Sequence, residues 1–187
     1  MIGYALCGSF CTLSKSVEIL TRLKGKGYDI LPIMSEITAT TDTRFGKAAD
    51  FITRIESVCG RPIIRTIPDA EPLGPKTPLD ALVICPCTGN TLSKLANGIT
   101  DTPVCMAAKA HLRSDRPLLI TLASNDALSA NLRNIGTLLS RKSVYFTPLR
   151  QDDPLSKPHS LVADFDLVPE ALEAAVAGRQ MRPVFLS

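Results

Sequence analysis

Aromatic residues and blocks of positive charge, which mark many nucleic-acid-binding surfaces, are both scarce in this sequence. Aromatic residues make up 5% of the 187 residues, and the formal net charge is only +3. Because the lysines and arginines are scattered along the chain, we expect no nucleic-acid partner. The slight positive charge still suits a small anionic ligand.

Long apolar runs are also missing. No run approaches the roughly 20 residues that a membrane-spanning helix needs. The first residues, MIGYALCGSFC, contain neither a basic leader nor an apolar core of signal-peptide length. With 45% hydrophobic and 21% charged residues, the composition is typical of a globular domain. We therefore expect a cytoplasmic protein with no membrane partner.

Histidines are few, and no two cysteines have the Cys-x-x-Cys spacing. His111 and His159 are the two histidines, and the six cysteines do not form a disulfide scaffold in a chain of this length. Cys85 and Cys87 leave three interpretations open: a metal clasp, a redox pair, or a core residue followed by a small residue at the rim of a site. We favour the last interpretation and predict no metal, because zinc normally requires four ligands. His111 is expected on a solvated helix face.

Apolar runs of strand length alternate with helical patterns, which is typical of βαβ units in a parallel sheet. The sequence predicts strands at residues 2–7, 29–34, 61–65, 81–85, 118–123 and 144–146. It predicts helices at about 12–24, 43–59, 90–96, 102–113, 127–140 and 169–177. The predicted fold is α/β, a three-layer Rossmann-like (flavodoxin-like) parallel sheet with helices on both faces. Residues 1–187 are expected to form a single domain, in which 150–187 supply a polar segment and a closing helix.

Ligands of such sheets bind outside the carboxyl ends of the strands, where helix N-termini present free N–H groups. Four predicted strands end in segments rich in small hydroxyl or amide side chains, at Gly8-Ser9, Ser35, residues 86–91 and Ser124-Asn125-Asp126. This pattern favours a phosphate and a hydrogen-bonding ring over a metal. The polar segment at 151–160 is expected to cover the site, and the Pro/Gly-rich loop at 68–78 to lie at a subunit contact or over a site.

The stretch CPCTGNTLSKLANGITDTP resembles a motif of the FMN-binding flavoprotein family, which includes peptidyl-cysteine and phosphopantothenoylcysteine decarboxylases and flavin prenyltransferases. That motif is Pro-x-(Ser/Thr)-x-Asn-Thr-x-x-Lys-x-Ala-x-Gly-x-x-Asp. The matching positions are Pro86, Thr88, Asn90, Thr91, Lys94, Ala96, Gly98 and Asp101. The turn at Gly8-Ser9 resembles the family's phosphate-side turn, and Ser35 resembles its hydroxyl after the second strand. The resemblance implies a cofactor site formed by Gly8, Ser9, Ser35, Pro86, Cys87, Thr88, Asn90, Thr91, Ser124 and Asn125.

The second half, from LASNDALSANLRNIGTLL to VPEALEAAVAG, is similar to a narrower family, the dipicolinate synthase B subunits of spore-forming bacteria. This resemblance implies an oxidoreductase subunit that works with the A subunit of dipicolinate synthase in the mother cell during sporulation and converts dihydrodipicolinate to dipicolinate. FMN is the implied cofactor, with NAD(P) supplied through the partner, and a homo-oligomer is expected. Arg44, Arg133 and Lys157 are candidates to hold the substrate's carboxylates, because cationic side chains bind such groups through charge-assisted hydrogen bonds.

Two other functions stay open at this point. One is a non-catalytic assembly or regulatory subunit, which nothing in the sequence excludes. The other is a flavin-dependent decarboxylase. Decarboxylases of the family use a histidine in the first half of the chain and a Pro-x-Met-Asn-x-x-Met segment. Here no histidine precedes His111, and residues 124–128 stand in place of that segment. These departures disfavour decarboxylation, and the sequence identifies no catalytic residue.

Overall fold

The computed structural model describes residues 1–74 and 76–187. Within these ranges the strands are β1 Ile2–Leu6, β2 Ile30–Met34, β3 Ala81–Cys87, β4 Leu118–Ser124, β5 Val144–Phe146, β6 Leu149–Arg150 and β7 Leu161–Ala163. The α-helices are α1 Phe10–Gly25, α2 Glu36–Thr40, α3 Ala48–Cys59, α4 Ile67–Ala70, α5 Gly89–Asn97, α6 Pro103–Leu112, α7 Leu132–Leu139 and α8 Val168–Val176. None of the helices in the described ranges is long and apolar enough to cross a bilayer.

One sheet organises the chain, in the order β2-β1-β3-β4-β7-β6, with β5 also paired to β4. Strands β1 to β5 pair with one another in parallel, which confirms the predicted α/β fold. The antiparallel strands β6 and β7 were not predicted, and they lie within the segment expected to be polar loop and helix. They span only two and three residues, too few for an alternating apolar pattern to appear in the sequence.

Helices cover both faces of the sheet, as predicted. Along β1, Tyr4 and Leu6 face one core and Ala5 faces the other, because side chains alternate across a strand. Helices α1, α3 and α8 bury apolar residues in the first core, and α4 to α7 do so in the second. All five residues of β1 and all seven of β4 are buried, so these strands appear in the sequence as continuous apolar runs.

Three predicted elements differ from the structure by more than two residues. The predicted strand at 61–65 is only an isolated bridge between Ile33 and Ile64. Pro62 lacks an N–H for a longer ladder. Helix α3 starts five residues later than predicted, because Asp42 Oδ1 accepts from the Ala48 amide at 2.9 Å and residues 43–46 form a turn. Helix α7 also starts five residues late, since the Asp126 carbonyl takes the amides of Ser129 and Asn131.

The expectation for His111 was wrong. Its side chain is fully buried, and its Nε2 lies 2.9 Å from the carbonyl oxygen of Pro117. Burial lowers the pKa of the imidazole below its usual value. The loop at 68–78 includes Pro75, which lies outside the described residues, so its expected place at a subunit contact or over a site stays a prediction.

Candidate functional site

A cavity of about 720 Å³ opens at the carboxyl edge of the sheet. It lies beyond the ends of β1, β3 and β4, where the fold brings the predicted turns together. Its volume falls within the range of roughly 300–1,000 Å³ that is usual for small-molecule and cofactor sites. The position and size are those expected of a ligand site in an open α/β sheet.

Two helix N-termini reach this cavity. Helix α1 begins after Ser9, and helix α5 begins after Thr88. In α5 the amide of Thr91 donates to Thr88 Oγ1 at 3.2 Å, and Leu92 makes the first α-helical bond to the Thr88 carbonyl. The amides of Gly89 and Asn90 therefore stand at the end of the helix without intrahelical acceptors. Such N–H groups, together with the helix dipole, favour an anion such as phosphate.

Six of the ten predicted cofactor-binding residues line the cavity: Gly8, Ser9, Thr88, Asn90, Ser124 and Asn125. They come from three separate strand ends, which the fold brings together at one edge of the sheet. A Cβ at Gly8 would lie 3.2 Å from Ile37 Cγ2, so a larger residue in this turn would require the Ile37 side chain to shift by a few tenths of an ångström. Contact of these six residues with a cofactor remains a prediction.

The structure places the other four predicted side chains, those of Ser35, Pro86, Cys87 and Thr91, behind the cavity wall, where they are buried. Ser35 Oγ lies 2.7 Å from Thr38 Oγ1 at the start of α2. Pro86 lies within β3, and its carbonyl accepts from the Cys7 amide at 3.1 Å. Thr91 Oγ1 donates to Cys7 Sγ at 3.3 Å and accepts from Thr88 Oγ1 at 3.1 Å. These bonds support the cavity residues from behind.

Cys85 and Cys87 both lie in the interior. Cys85 is a core residue, as favoured from the sequence, with Sγ 3.2 Å from Ser16 Oγ. The expectation that Cys87 forms the rim was wrong, because its side chain is fully buried in the opposite core. Burial raises the pKa of both thiols, to about 11 for Cys85. Within the described ranges no three histidine, cysteine, aspartate or glutamate side chains are close enough to hold a metal ion.

A hydrogen-bonded network fixes one carboxylate in the cavity wall. Asp126 Oδ1 accepts from Ser124 Oγ at 2.5 Å, and Asn131 Nδ2 donates to both Asp126 oxygens at 3.0 and 2.9 Å. Asn134 Nδ2 in turn donates to Asn131 Oδ1 at 2.9 Å. The bond from the Ser124 hydroxyl, followed by that from Asn131, holds the pKa of Asp126 below its usual value. This side chain is therefore an ionised acceptor at neutral pH.

Sequence reasoning gave no site role to Phe45, Asp152 or Ser160, which also line the cavity. Asp126 was expected to cap the helix from residue 127 rather than to contact a ligand, yet it lines the cavity and α7 begins after Asn131. Asp152 and Ser160 reach it because β7 pairs antiparallel with the carboxyl end of β4 and carries the 151–160 loop to this edge. Two of the three candidate cations, Arg44 and Lys157, lie in the lining, whereas Arg133 does not. The expectation that the polar segment covers the site thus agrees with where Lys157 lies.

Three residues of the sequence motif have a structural role. Lys94 Nζ and Asp101 Oδ1 form an ion pair at 2.8 Å that spans the turn between α5 and α6. Gly98 ends α5 with a left-handed φ of 71°, a conformation that glycine adopts without strain. Thr102 then caps α6 by accepting from the Cys105 amide at 3.2 Å. This half of the motif fixes the helix whose other end faces the cavity.

The residues present fit a flavin mononucleotide. The two helix N-termini and the neighbouring hydroxyl groups supply donors for a phosphate, and Asn90 and Asn125 supply amides for a polar ring. The aromatic rings of Phe10 and Phe45 give the cavity apolar surface. Both charge signs are present, since Asp126 and Asp152 face the same space as Arg44 and Lys157.

Comparison with known proteins gives concordant results. A family model described as Flavoprotein matches residues 1–164. The B subunit of dipicolinate synthase from Bacillus subtilis (strain 168) is 44% identical over 185 residues, covering 99% of this chain and 92% of that protein. The crystal structure of the corresponding B subunit from Bacillus halodurans is 44% identical, with a TM-score of 0.91 over 100% of this chain and 95% of that chain.

More distant structures share the fold. A dodecameric FMN-dependent UbiX-like decarboxylase from Escherichia coli O157:H7 is 21% identical, with a TM-score of 0.62 over 79% of this chain and 80% of that chain. The chain therefore belongs to the flavoprotein family, and within it to the group of dipicolinate synthase B subunits.

Proposed function

We propose that this flavoprotein works with the A subunit of dipicolinate synthase to convert dihydrodipicolinate to dipicolinate during sporulation. The observation that carries the proposal is 44% identity over 99% of the chain to a B subunit of this enzyme, together with the cavity at the expected sheet edge. The proposal places the protein in the cytoplasm of the mother cell and makes it an oxidoreductase subunit.

FMN is the proposed cofactor, and its phosphate would be held by the turns at Gly8-Ser9 and residues 88–90. A flavin in this position supplies a hydride acceptor, and a nicotinamide from the partner is the alternative acceptor. The first amides of α1 and α5 would bind the phosphate oxygens, and Asn90 and Asn125 would orient polar atoms of the ligand. We also propose a homo-oligomer, in line with the dodecameric relative.

Removal of hydrogen from a dihydropyridine dicarboxylate requires a hydride acceptor, a base and a group that binds the carboxylates, all within contact of one ring. The cavity lining contains no histidine among the described residues. Asp126 is held ionised by three hydrogen bonds, which makes it a weak base. The proposal therefore assigns proton removal to the complex with the A subunit rather than to this chain alone.

The purified chain should have the yellow absorbance of a bound flavin, either as isolated or after addition of FMN. Mixing it with the A subunit, dihydrodipicolinate and a nicotinamide cofactor should produce dipicolinate faster than either protein does by itself, as followed by ultraviolet absorbance. Full activity of the A subunit on its own, with rate and substrate affinity unchanged on addition of this chain, would refute the shared reaction. A non-catalytic assembly role would instead raise activity without any requirement for FMN.

A further inference from the structure

We propose that Arg44 is the residue of this chain that binds a carboxylate of the substrate, and that the 42–48 segment is built to present it. The inference rests on the proposed function and goes beyond it, because the sequence left Arg44, Arg133 and Lys157 as equal candidates. In the structure the three side chains differ in whether they line the cavity and in whether they form an ion pair.

Only two of the three candidates face the cavity, and one of these two is already paired. Arg133 lies on α7 outside the lining. Lys157 Nζ donates to Asp152 Oδ2 at 2.7 Å within the same loop, so its charge is largely offset. Arg44 takes part in none of the ion pairs among the described residues. It is the cation of the lining that is available to an anionic ligand.

A rigid turn holds Arg44 at the cavity. The amide of Thr43 donates to the Gly46 carbonyl at 3.0 Å, and the amide of Gly46 donates back to the Thr43 carbonyl at 3.1 Å. The Phe45 amide also donates to Thr43 Oγ1 at 3.2 Å. Gly46 has a φ of 142°, and a Cβ there would lie 2.7 Å from Phe51 Cε2, so the turn packs directly on α3. Arg44 and Phe45 are the two central residues of this turn.

The guanidinium group of Arg44 lies beside an aromatic ring of the cavity lining. Arg44 Cζ lies over the Phe45 ring, 4.8 Å from its centre, which is a cation–π contact. Such a contact uses none of the guanidinium N–H donors, which can bind a carboxylate bidentately. Phe45 is 42% exposed and also lines the cavity. The pair thus offers an aromatic surface beside a bidentate donor, which suits a planar aromatic carboxylate.

A phosphate and a carboxylate are both anions, and the cavity offers each a different kind of donor. The helix N-termini at Ser9 and Thr88 supply backbone amides and neutral hydroxyl groups, which suit a phosphate. Arg44 belongs to neither turn and supplies a planar, charged fork, which suits a carboxylate. We therefore assign the cofactor phosphate to the helix ends and the substrate carboxylate to Arg44.

The test compares Arg44→Ala, Arg44→Lys and Arg133→Ala in the full chain, the last removing the same charge outside the cavity. Dipicolinate binding to the FMN-loaded protein is measured by calorimetry, and FMN binding by quenching of flavin fluorescence. Arg44→Ala should weaken dipicolinate binding by about tenfold to a hundredfold, since hydrogen bonds to charged groups are worth that much. It should leave FMN affinity within about threefold, and Arg44→Lys should be intermediate because lysine lacks the bidentate fork.

Each outcome decides one question. Equal dipicolinate binding by Arg44→Ala and Arg133→Ala, or no dipicolinate binding by the wild type, overturns the assignment. Loss of FMN rather than dipicolinate in Arg44→Ala also overturns it, since Arg44 would then be a phosphate ligand. If the mixture with the A subunit forms dipicolinate equally well with Arg44→Ala, the assignment fails and the proposed function stands. If Arg44-dependent dipicolinate binding is found while the mixture forms no dipicolinate, the proposed function fails and the dicarboxylate site stands.

Discussion

Replacing Gly89 with alanine should disrupt the wall of the cavity, although alanine is the better helix former. Gly89 is the first residue of α5 and faces the Asp126 network. A Cβ at this position would lie 2.7 Å from both Asn131 Nδ2 and Asp126 Oδ1, closer than real Cβ contacts come. These two atoms are themselves hydrogen-bonded at 3.0 Å, so neither can move without loss of that bond.

The size of the effect follows from three contributions. Replacing glycine with alanine at a compatible backbone conformation stabilises the folded protein by about 0.4–1 kcal/mol when the new methyl group meets nothing. Forcing a methylene into a packed site costs typically about 1–3 kcal/mol. Loss of a hydrogen bond to a charged group costs a further 1.5–3 kcal/mol or so. The net expectation for Gly89→Ala is a decrease of about 1.5–5.5 kcal/mol in the free energy of unfolding.

Urea denaturation followed by circular dichroism measures this change, and Gly136→Ala is the matched control. Gly136 lies within α7, and nothing comes within 4 Å of a Cβ built there. That variant should be as stable as the wild type or slightly more stable. If Gly89→Ala also unfolds at the wild-type urea concentration or above it, the network at Gly89 is not the tight contact described, and the reasoning is refuted.

Three further outcomes are expected. Asn90→Leu should abolish FMN binding with unchanged far-ultraviolet circular dichroism, because Asn90 is exposed and lines the cavity; unchanged affinity in the folded variant would contradict this. The pKa of buried His111 lies below the unfolded value of about 6.5, so the unfolded chain binds more protons and stability should fall as the pH drops from 7 to 5, by at most about 1.4 kcal/mol per unit. In urea titrations His111→Gln should lose less stability over that range, and an equal loss would exclude His111 as the cause. Iodoacetamide should label only Cys11 in the native protein, and FMN should slow the reaction, because Cys11 is the one exposed thiol among the six and lines the cavity; mass spectrometry showing a second rapid label would argue against the described burial.

Strands whose residues are nearly all buried could be predicted from the sequence. The parallel strands β1 to β5 consist mostly of buried residues, and most of them are followed by glycine or hydroxyl residues. The positions of these strands, and the edge of the sheet at which the cavity lies, could therefore be predicted from the sequence. Helix starts were less predictable, since Asp42 and Asp126 redirect the backbone through hydrogen bonds that no periodicity reveals. Helix propensity and apolar spacing predict that a helix is present, but local hydrogen bonds at its start determine its first residue.

The sequence predicted which residues lie near the cavity, but not which of their side chains point into it. Thr88 and Thr91 belong to the same motif, yet one side chain lines the cavity and the other turns to Cys7. Sequence alone could not separate them, because the first turn of a helix points its side chains to different sides. The 151–160 loop reaches the cavity through the pairing of β7 with β4, which depends on a two-residue register between distant segments.

Under the proposed function, the charges of the cavity bear on how catalysis would be divided between this chain and the A subunit. Asp126 presents an ionised carboxylate, and its hydrogen bonds from Ser124 and Asn131 stabilise that form. A dianionic substrate would be repelled by this carboxylate and attracted by Arg44, so it would be oriented with a carboxylate toward Arg44 and a ring N–H or another donor toward Asp126. The same hydrogen bonds that fix Asp126 as an acceptor lower its basicity, and so they disfavour it as the proton acceptor in catalysis. Under the proposed function, substrate orientation is therefore assigned to this chain, and proton removal to the complex with the A subunit.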